Sequence, residues 1–105
     1  MDRSQPLTEA LFYILLAARK PVHGYGIIQE VAEMTGGRVN LGPGTLYGAI
    51  NVLLDRGWIV LYSAEMGSRR KKEYVITDQG RAAFAGELRR LRELVSNGGK
   101  MEDET

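Results

Sequence analysis

Four consecutive cations, Arg69-Arg70-Lys71-Lys72, are the densest chemistry-bearing group in the sequence. Four like charges in a row repel one another unless an anion lies beside them, and a row of phosphates would supply it. An exposed, solubilising loop is the other reading of the same run. The remaining reactive side chains do not assemble into a catalytic set. The one histidine, His23, stands beside Gly24 and Gly26 at a helix entrance, where an imidazole serves as a cap or a packing residue. With no cysteine and no second histidine, one chain cannot build a nitrogen- or sulfur-rich metal site, and neither a metal nor a cofactor is expected. Gly24 and Gly26 are half of a phosphate-binding glycine pattern, but no strand is expected before them and no third glycine follows at the required spacing. Glu30 and Glu33 lie one turn apart, as on an ordinary solvated helix face. No catalytic residue is assigned, and the expectation is a protein that is not an enzyme.

The elements that would position the cationic run follow from periodicity and breakers. Thr8-Glu9 before an apolar stretch and Arg19-Lys20-Pro21 after it bound a first helix over about 8–19. Its interior, Leu11 to Leu16, has no polar stripe, so a second face must be covered, either by a partner subunit or by other helices of the chain. Ile27, Ile28, Val31 and Met34 recur at helical spacing until Gly36-Gly37, giving a second helix over about 24–35. Gly42-Pro43-Gly44 breaks the chain, and a third helix starts at Thr45 and ends at Gly57, with Leu46, Ile50, Leu53 and Leu54 turned inward. Trp58 to Tyr62 and Lys72 to Ile76 read as the strands of a hairpin around a turn at Glu65 to Ser68. Thr77-Asp78-Gln79 opens a final helix whose Phe84, Leu88, Leu91 and Val95 form a coiled-coil-like stripe, ending at Asn97-Gly98-Gly99.

The predicted fold is therefore mainly α with a β-hairpin wing (α+β), a winged helix-turn-helix followed by a long C-terminal dimerisation helix. The expected organisation is a winged domain over 1–77, the helix over 78–97, and a disordered acidic tail over 98–105. In a helix-turn-helix the N-terminal residues of the later helix enter a major groove. The outward side of the third helix offers Thr45, Tyr47, Gly48, Asn51 and Asp55. Thr45 and Tyr47 can bond phosphates, with a packed rim position as the other reading for Tyr47. Asn51 can pair with adenine or simply face water. On a wing beside such a helix, the cationic run reads as a phosphate clamp.

Bulk composition is compatible with this but does not require it. The net charge is +1, yet Lys100 to Thr105 hold one base and three acids, leaving residues 1–99 with 13 bases against 10 acids. The longest apolar run, Ala10 to Ala18, is about half the roughly 20 residues a membrane helix needs. The absence of cysteine suits a reducing compartment, so a soluble cytoplasmic protein with no membrane partner is expected.

The chain resembles the PadR family of bacterial transcriptional regulators from about Thr8 to Val95. The residues that carry the resemblance are Leu15-Leu16, His23-Gly24-Tyr25-Gly26, Gly42-Pro43-Gly44-Thr45-Leu46-Tyr47, Gly57-Trp58-Ile59, Arg70-Lys71-Lys72-Glu73-Tyr74 and Ile76-Thr77-Asp78-Gln79-Gly80. With one helix after the wing, it is similar to the short subfamily. The resemblance implies a homodimeric repressor on double-stranded DNA with an inverted-repeat operator. DNA would be contacted by Tyr25, Gly44, Thr45, Tyr47 and the basic wing, with Gly48 and Asn51 completing the face of the third helix. Many relatives carry basic residues where this chain has Gly48, Asn51 and Val52, which shifts more of the binding onto the wing. The implied dimer interface takes Leu11, Phe12, Leu15, Phe84, Leu88, Leu91 and Val95. Relatives that respond to small hydrophobic or aromatic effectors imply a pocket at Phe12, Phe84 and Leu88, residues that equally suit plain interface packing. A dimeric winged-helix module that binds another protein is the alternative reading.

Overall fold

A computed structural model describes residues 6–64 and 72–104. The elements run α1 (Glu9–Ala17), β1 (Val22–His23), α2 (Gly24–Met34), α3 (Pro43–Asp55), β2 (Ile59–Ala64), β3 (Lys72–Ile76) and α4 (Asp78–Asp103). The three strands form one antiparallel sheet in the order β1-β3-β2. The α+β winged architecture is the one the sequence patterns predict. Among the described residues, no helix is long and apolar enough to cross a membrane.

Local chemistry sets the boundaries. Thr8 caps α1, its Oγ1 accepting from the Leu11 N–H at 3.1 Å. His23 caps α2 in the same way, its Nδ1 accepting from the Gly26 N–H at 2.8 Å, so the imidazole is a structural cap. A short strand does precede Gly24: Val22 and His23 pair with Tyr74 and Glu73. Two residues between breakers carry too little pattern to announce a strand. α3 begins two residues before Thr45, because Pro43 fits the first helical turn, where its missing N–H costs nothing. Gly57 (φ 73°) turns the chain out of α3 in a conformation that side chains resist.

The core joins α1, α2, α3 and the sheet through Ile14, Leu15, Ile27, Val31, Leu46, Ile50, Leu53, Ile59 and Tyr74. Leu15 is fully buried inside this single chain and has no surface left for a partner, so it leaves the expected interface set. Leu54 is 36% exposed and not turned inward, since it sits at the edge of the face centred on Leu46, Ile50 and Leu53. Trp58 precedes the strand; the Arg56 guanidinium lies over its ring, 4.9 Å from the centroid. β2 contains a bulge between Leu61 and Ser63, which leaves Tyr62 unpaired and exposed.

Part of the second face of α1 is covered by the chain's own α4. Phe12 and Phe84 stack with ring centroids 4.6 Å apart. Below them Glu87, 7% exposed, accepts the Leu7 N–H at 3.1 Å and two bonds from Arg90 at 2.8 and 2.7 Å. The start of the first helix is thus tied to the last. The helix also continues through Gly98 and Gly99 to Asp103, so neither a helix end at Asn97 nor a disordered tail over 98–105 describes it. Both glycines keep negative φ, and their capacity for a left-handed stop goes unused.

Glu87 yields a pH prediction. Its hydrogen bonds from Arg90 hold the carboxyl below its ordinary value of 4.5, with burial opposing and the Leu7 N–H and the Arg90 charge assisting. A folded-state value below the unfolded one contributes stability above the unfolded value, lost as pH falls through the folded one. Glu87→Gln is expected to cost about 1–2 kcal/mol at pH 7, between the values of exposed and buried pairs because Arg90 is partly exposed. It should also flatten the acid-side loss of stability below about pH 4.5. Urea titrations of both proteins from pH 3 to 7 check this; parallel curves would disprove it.

Candidate nucleic-acid interface

The side chains that could meet a nucleic acid gather where α2 starts, along one face of α3, and at the base of the hairpin. α3 is divided sharply. Leu46, Ile50 and Leu53 are buried, whereas Gly44, Thr45, Tyr47, Gly48, Asn51, Val52 and Asp55 are exposed. At about 100° per residue, Gly44, Gly48, Asn51 and Asp55 fall within an arc of about 60° opposite the buried side. No heavy atom lies within 4 Å of where a Cβ would sit at Gly42, Gly44 or Gly48. The helix therefore presents bare backbone with one amide side chain in the middle, and no positive charge.

Tyr47 fixes α3 against α2. A Cβ at Gly24 would come within 2.6 Å of the Tyr47 hydroxyl and 3.3 Å of Leu46, so the absence of a side chain at the first position of α2 lets the two helices close. Tyr47 still leaves 48% of its surface exposed. The ring packs, and its rim faces outward. Tyr25, next to the contact, is 66% exposed. Burial pushes the Tyr74 phenol up and nearby Tyr47 adds to the shift, so Tyr74 is a neutral core group beneath the surface pair.

The hairpin leaves the body beside this cluster. Glu73 of β3 pairs with His23, the cap of α2, and Lys72 is the next residue outward, exposed and opposite Ala64. The Ser63 hydroxyl donates to Glu73 at 2.7 Å and ties the strands together at the base. Arg69, Arg70 and Lys71, with the expected turn at Glu65 to Ser68, lie outside the described residues. Glu30 pairs with Arg19 at 2.8 Å, in keeping with a solvated helix face.

The expected partner-facing residues form a separate surface. Leu11, Phe12, Phe84, Leu88 and Leu91 are half-buried, and Val95 is 74% exposed. The sequence reading missed Glu87, although one acid among Phe84, Leu88 and Leu91 on an apolar face was a legible signal for a buried polar contact.

The transcriptional regulator PadR-like family model matches residues 13–86. The chain belongs to this family. It is 37% identical over 78 residues to transcriptional regulator Rv3488 of Mycobacterium tuberculosis (strain ATCC 25618 / H37Rv), covering 74% of this chain and 70% of that protein. Among solved structures it is similar to a PadR family transcriptional regulator from Eggerthella lenta DSM 2243, with a TM-score of 0.77 and 22% identity over 90% of this chain and 82% of the other. A transcriptional regulator from Clostridium thermocellum matches with a TM-score of 0.73 and 22% identity, over 88% and 90% of the two chains. These two structures share the fold. As a member of the PadR-like family the chain is a transcriptional regulator and not an enzyme.

Proposed function

We propose that this PadR-like protein is a homodimeric, cytoplasmic repressor of an inverted-repeat operator in double-stranded DNA. Its α3 helices would occupy successive major grooves, and its wings would hold the flanking phosphates. The observation that carries the reading is the exposed face of α3, where Gly44 and Gly48 leave the backbone bare around Asn51. Close approach of backbone to ligand is what glycine permits. In this reading Thr45, Tyr47 and Tyr25 bond phosphates, Asn51 reads adenine, and Arg69, Arg70, Lys71 and Lys72 supply the charge that α3 lacks. Leu11, Phe12, Phe84, Leu88, Leu91 and Val95 form the dimer surface. A small aromatic or hydrophobic effector would enter beside the Phe12–Phe84 stack and Leu88, releasing DNA only by favouring a different separation of the wings.

Gly48→Ala separates this role from a structural one. The position is mid-helix, exposed and unobstructed, so alanine is expected to raise stability by about 0.5–1 kcal/mol. The added methyl should also lower affinity for the protein's own promoter about tenfold, measured by anisotropy at low salt. The uncharged α3 face favours one second reading, a dimeric winged-helix module that binds a protein. Absence of binding to any promoter fragment at low salt would decide for that module.

A further inference from the structure

The outward side of α3 holds two side chains of different chemistry in equivalent places. At about 100° per residue, Asn51 and Val52 each stand about 130° from the centre of the buried side, on opposite sides of the bare arc of Gly44 and Gly48. Asn51 presents an amide. Val52 presents an isopropyl group and is 39% exposed. Helix side chains lean toward the N-terminus, so this group lies over the turn of Gly48, where a Cβ would meet no heavy atom within 4 Å. The contact of Tyr47 with α2 is on the Asn51 flank, about 140° away, and does not involve it. Valine is also a poorer helix former than alanine, lysine or arginine. Neither core packing nor helix propensity therefore accounts for a valine at this exposed position.

In the major groove adenine shows an acceptor and a donor, which an amide meets bidentately, and thymine shows an acceptor and an apolar 5-methyl group. Guanine shows two acceptors, for which lysine and arginine are the matching side chains, and α3 carries neither between Pro43 and Asp55. Asp55, the one charge on the outward arc, has no proton to give to an acceptor. We infer that Val52 sets operator specificity by packing its isopropyl group on the 5-methyl group of a thymine, one in each half-site. This rests on the DNA-binding reading above and adds to it a second base-reading residue and the group it reads. An isopropyl group is short, so it touches a base edge only if the helix backbone comes close. Gly44 and Gly48 permit that approach, since no side chain stands between Asn51 and Val52. Burying one methyl group is worth about fourfold in affinity, so about 15-fold over two half-sites.

Deoxyuridine lacks only that methyl group and still pairs with adenine, so it reads the contact directly. In duplexes of the protein's own promoter, thymines are replaced by deoxyuridine at one symmetry-related pair of positions at a time, and affinity is measured by anisotropy. One such pair is expected to weaken binding about 15-fold and the rest to leave it nearly unchanged. Val52→Ala should bind the thymine and deoxyuridine duplexes of that pair equally. Alanine is the better helix former at this exposed position, so the variant keeps its fold. With cytosine at the same pair, 5-methylcytosine should restore to the wild-type protein, and not to Val52→Ala, a similar factor. Preference for the promoter over a scrambled duplex with no deoxyuridine effect at any position would overturn this role of Val52 alone. So would a deoxyuridine penalty as large in Val52→Ala as in wild type. A protein with no preference for its promoter would overturn the DNA-binding reading and this inference with it.

Discussion

Gly80→Ala is expected to cost about 3–4 kcal/mol, enough to leave little of the 5–15 kcal/mol typical of a small domain. The position shows no positive φ, so the constraint is space and not backbone conformation. A Cβ at Gly80 would overlap the Trp58 carbonyl and press on Ile76 Cγ1 at 2.8 Å. The carbonyl cannot swing aside, because it accepts the Thr77 N–H at 2.9 Å. Thr77 itself is committed twice, its Oγ1 accepting from the Gly80 N–H at 3.0 Å and donating to the Gly57 carbonyl at 2.6 Å. One methyl group therefore opposes the cap of α4, the turn after α3 and the entry to β2 together. At about 4–8 °C per kcal/mol, the thermal midpoint should fall by roughly 15–30 °C. Thr77→Ala, which removes only the cap and its bond to Gly57, should cost about 1–2 kcal/mol. Calorimetry of both variants tests the difference, and a Gly80→Ala midpoint within a few degrees of wild type would refute the steric argument.

The same knot marks a limit on what the sequence displays. Periodicity placed α2 and the hairpin because each buries one face, while α1, apolar all round, was bounded by its cap and by breakers such as Pro21, as Gly36-Gly37 bounded α2. Thr77-Asp78-Gln79 announced the start of α4, but nothing local says that Gly80 lies against the Trp58 carbonyl, which is a contact between residues 22 apart. Glu87 and the Leu7 N–H are 80 residues apart and equally invisible to a local pattern. The end of α4 misled for another reason. Gly98-Gly99 is a strong stop signal in isolation, yet glycine permits a left-handed stop without imposing one. Of the candidate DNA-facing residues, Gly44, Thr45, Tyr47, Gly48 and Asn51 are exposed because the third helix had only one apolar face to bury, and Tyr25 of α2 and Lys72 of β3 are exposed beside them. The grip of Tyr47 on Gly24 was not legible, since it depends on how closely two helices approach.

Replacing Arg69, Arg70, Lys71 and Lys72 together with alanine should cost at least about 100-fold in operator affinity at roughly 0.1 M salt. The exposed face of α3 carries no cation, so a row of phosphates must find its counter-charge elsewhere. The ion pairs of Arg19 with Glu30 and Arg38 with Glu9 take two further cations out of contention. Every phosphate left without its cation lowers the slope of log affinity against log salt by about 0.9, so each wing contributes up to about 3.6 and a dimer up to about 7. Wild-type protein should then lose affinity steeply as salt rises, and the variant should approach a shallow line. Lys72, the described member of the four, is exposed, and such a substitution usually stays within about 0.5 kcal/mol. Preference for operator over unrelated DNA should persist in the variant, because phosphate contacts position the protein while base edges specify it. Titrations at several salt concentrations with operator and scrambled duplexes read affinity, slope and specificity together. An unchanged slope would show that the wing is not the clamp. A lost preference would move sequence reading from Asn51 to the wing, and indifference to DNA in both proteins would favour the protein-binding module.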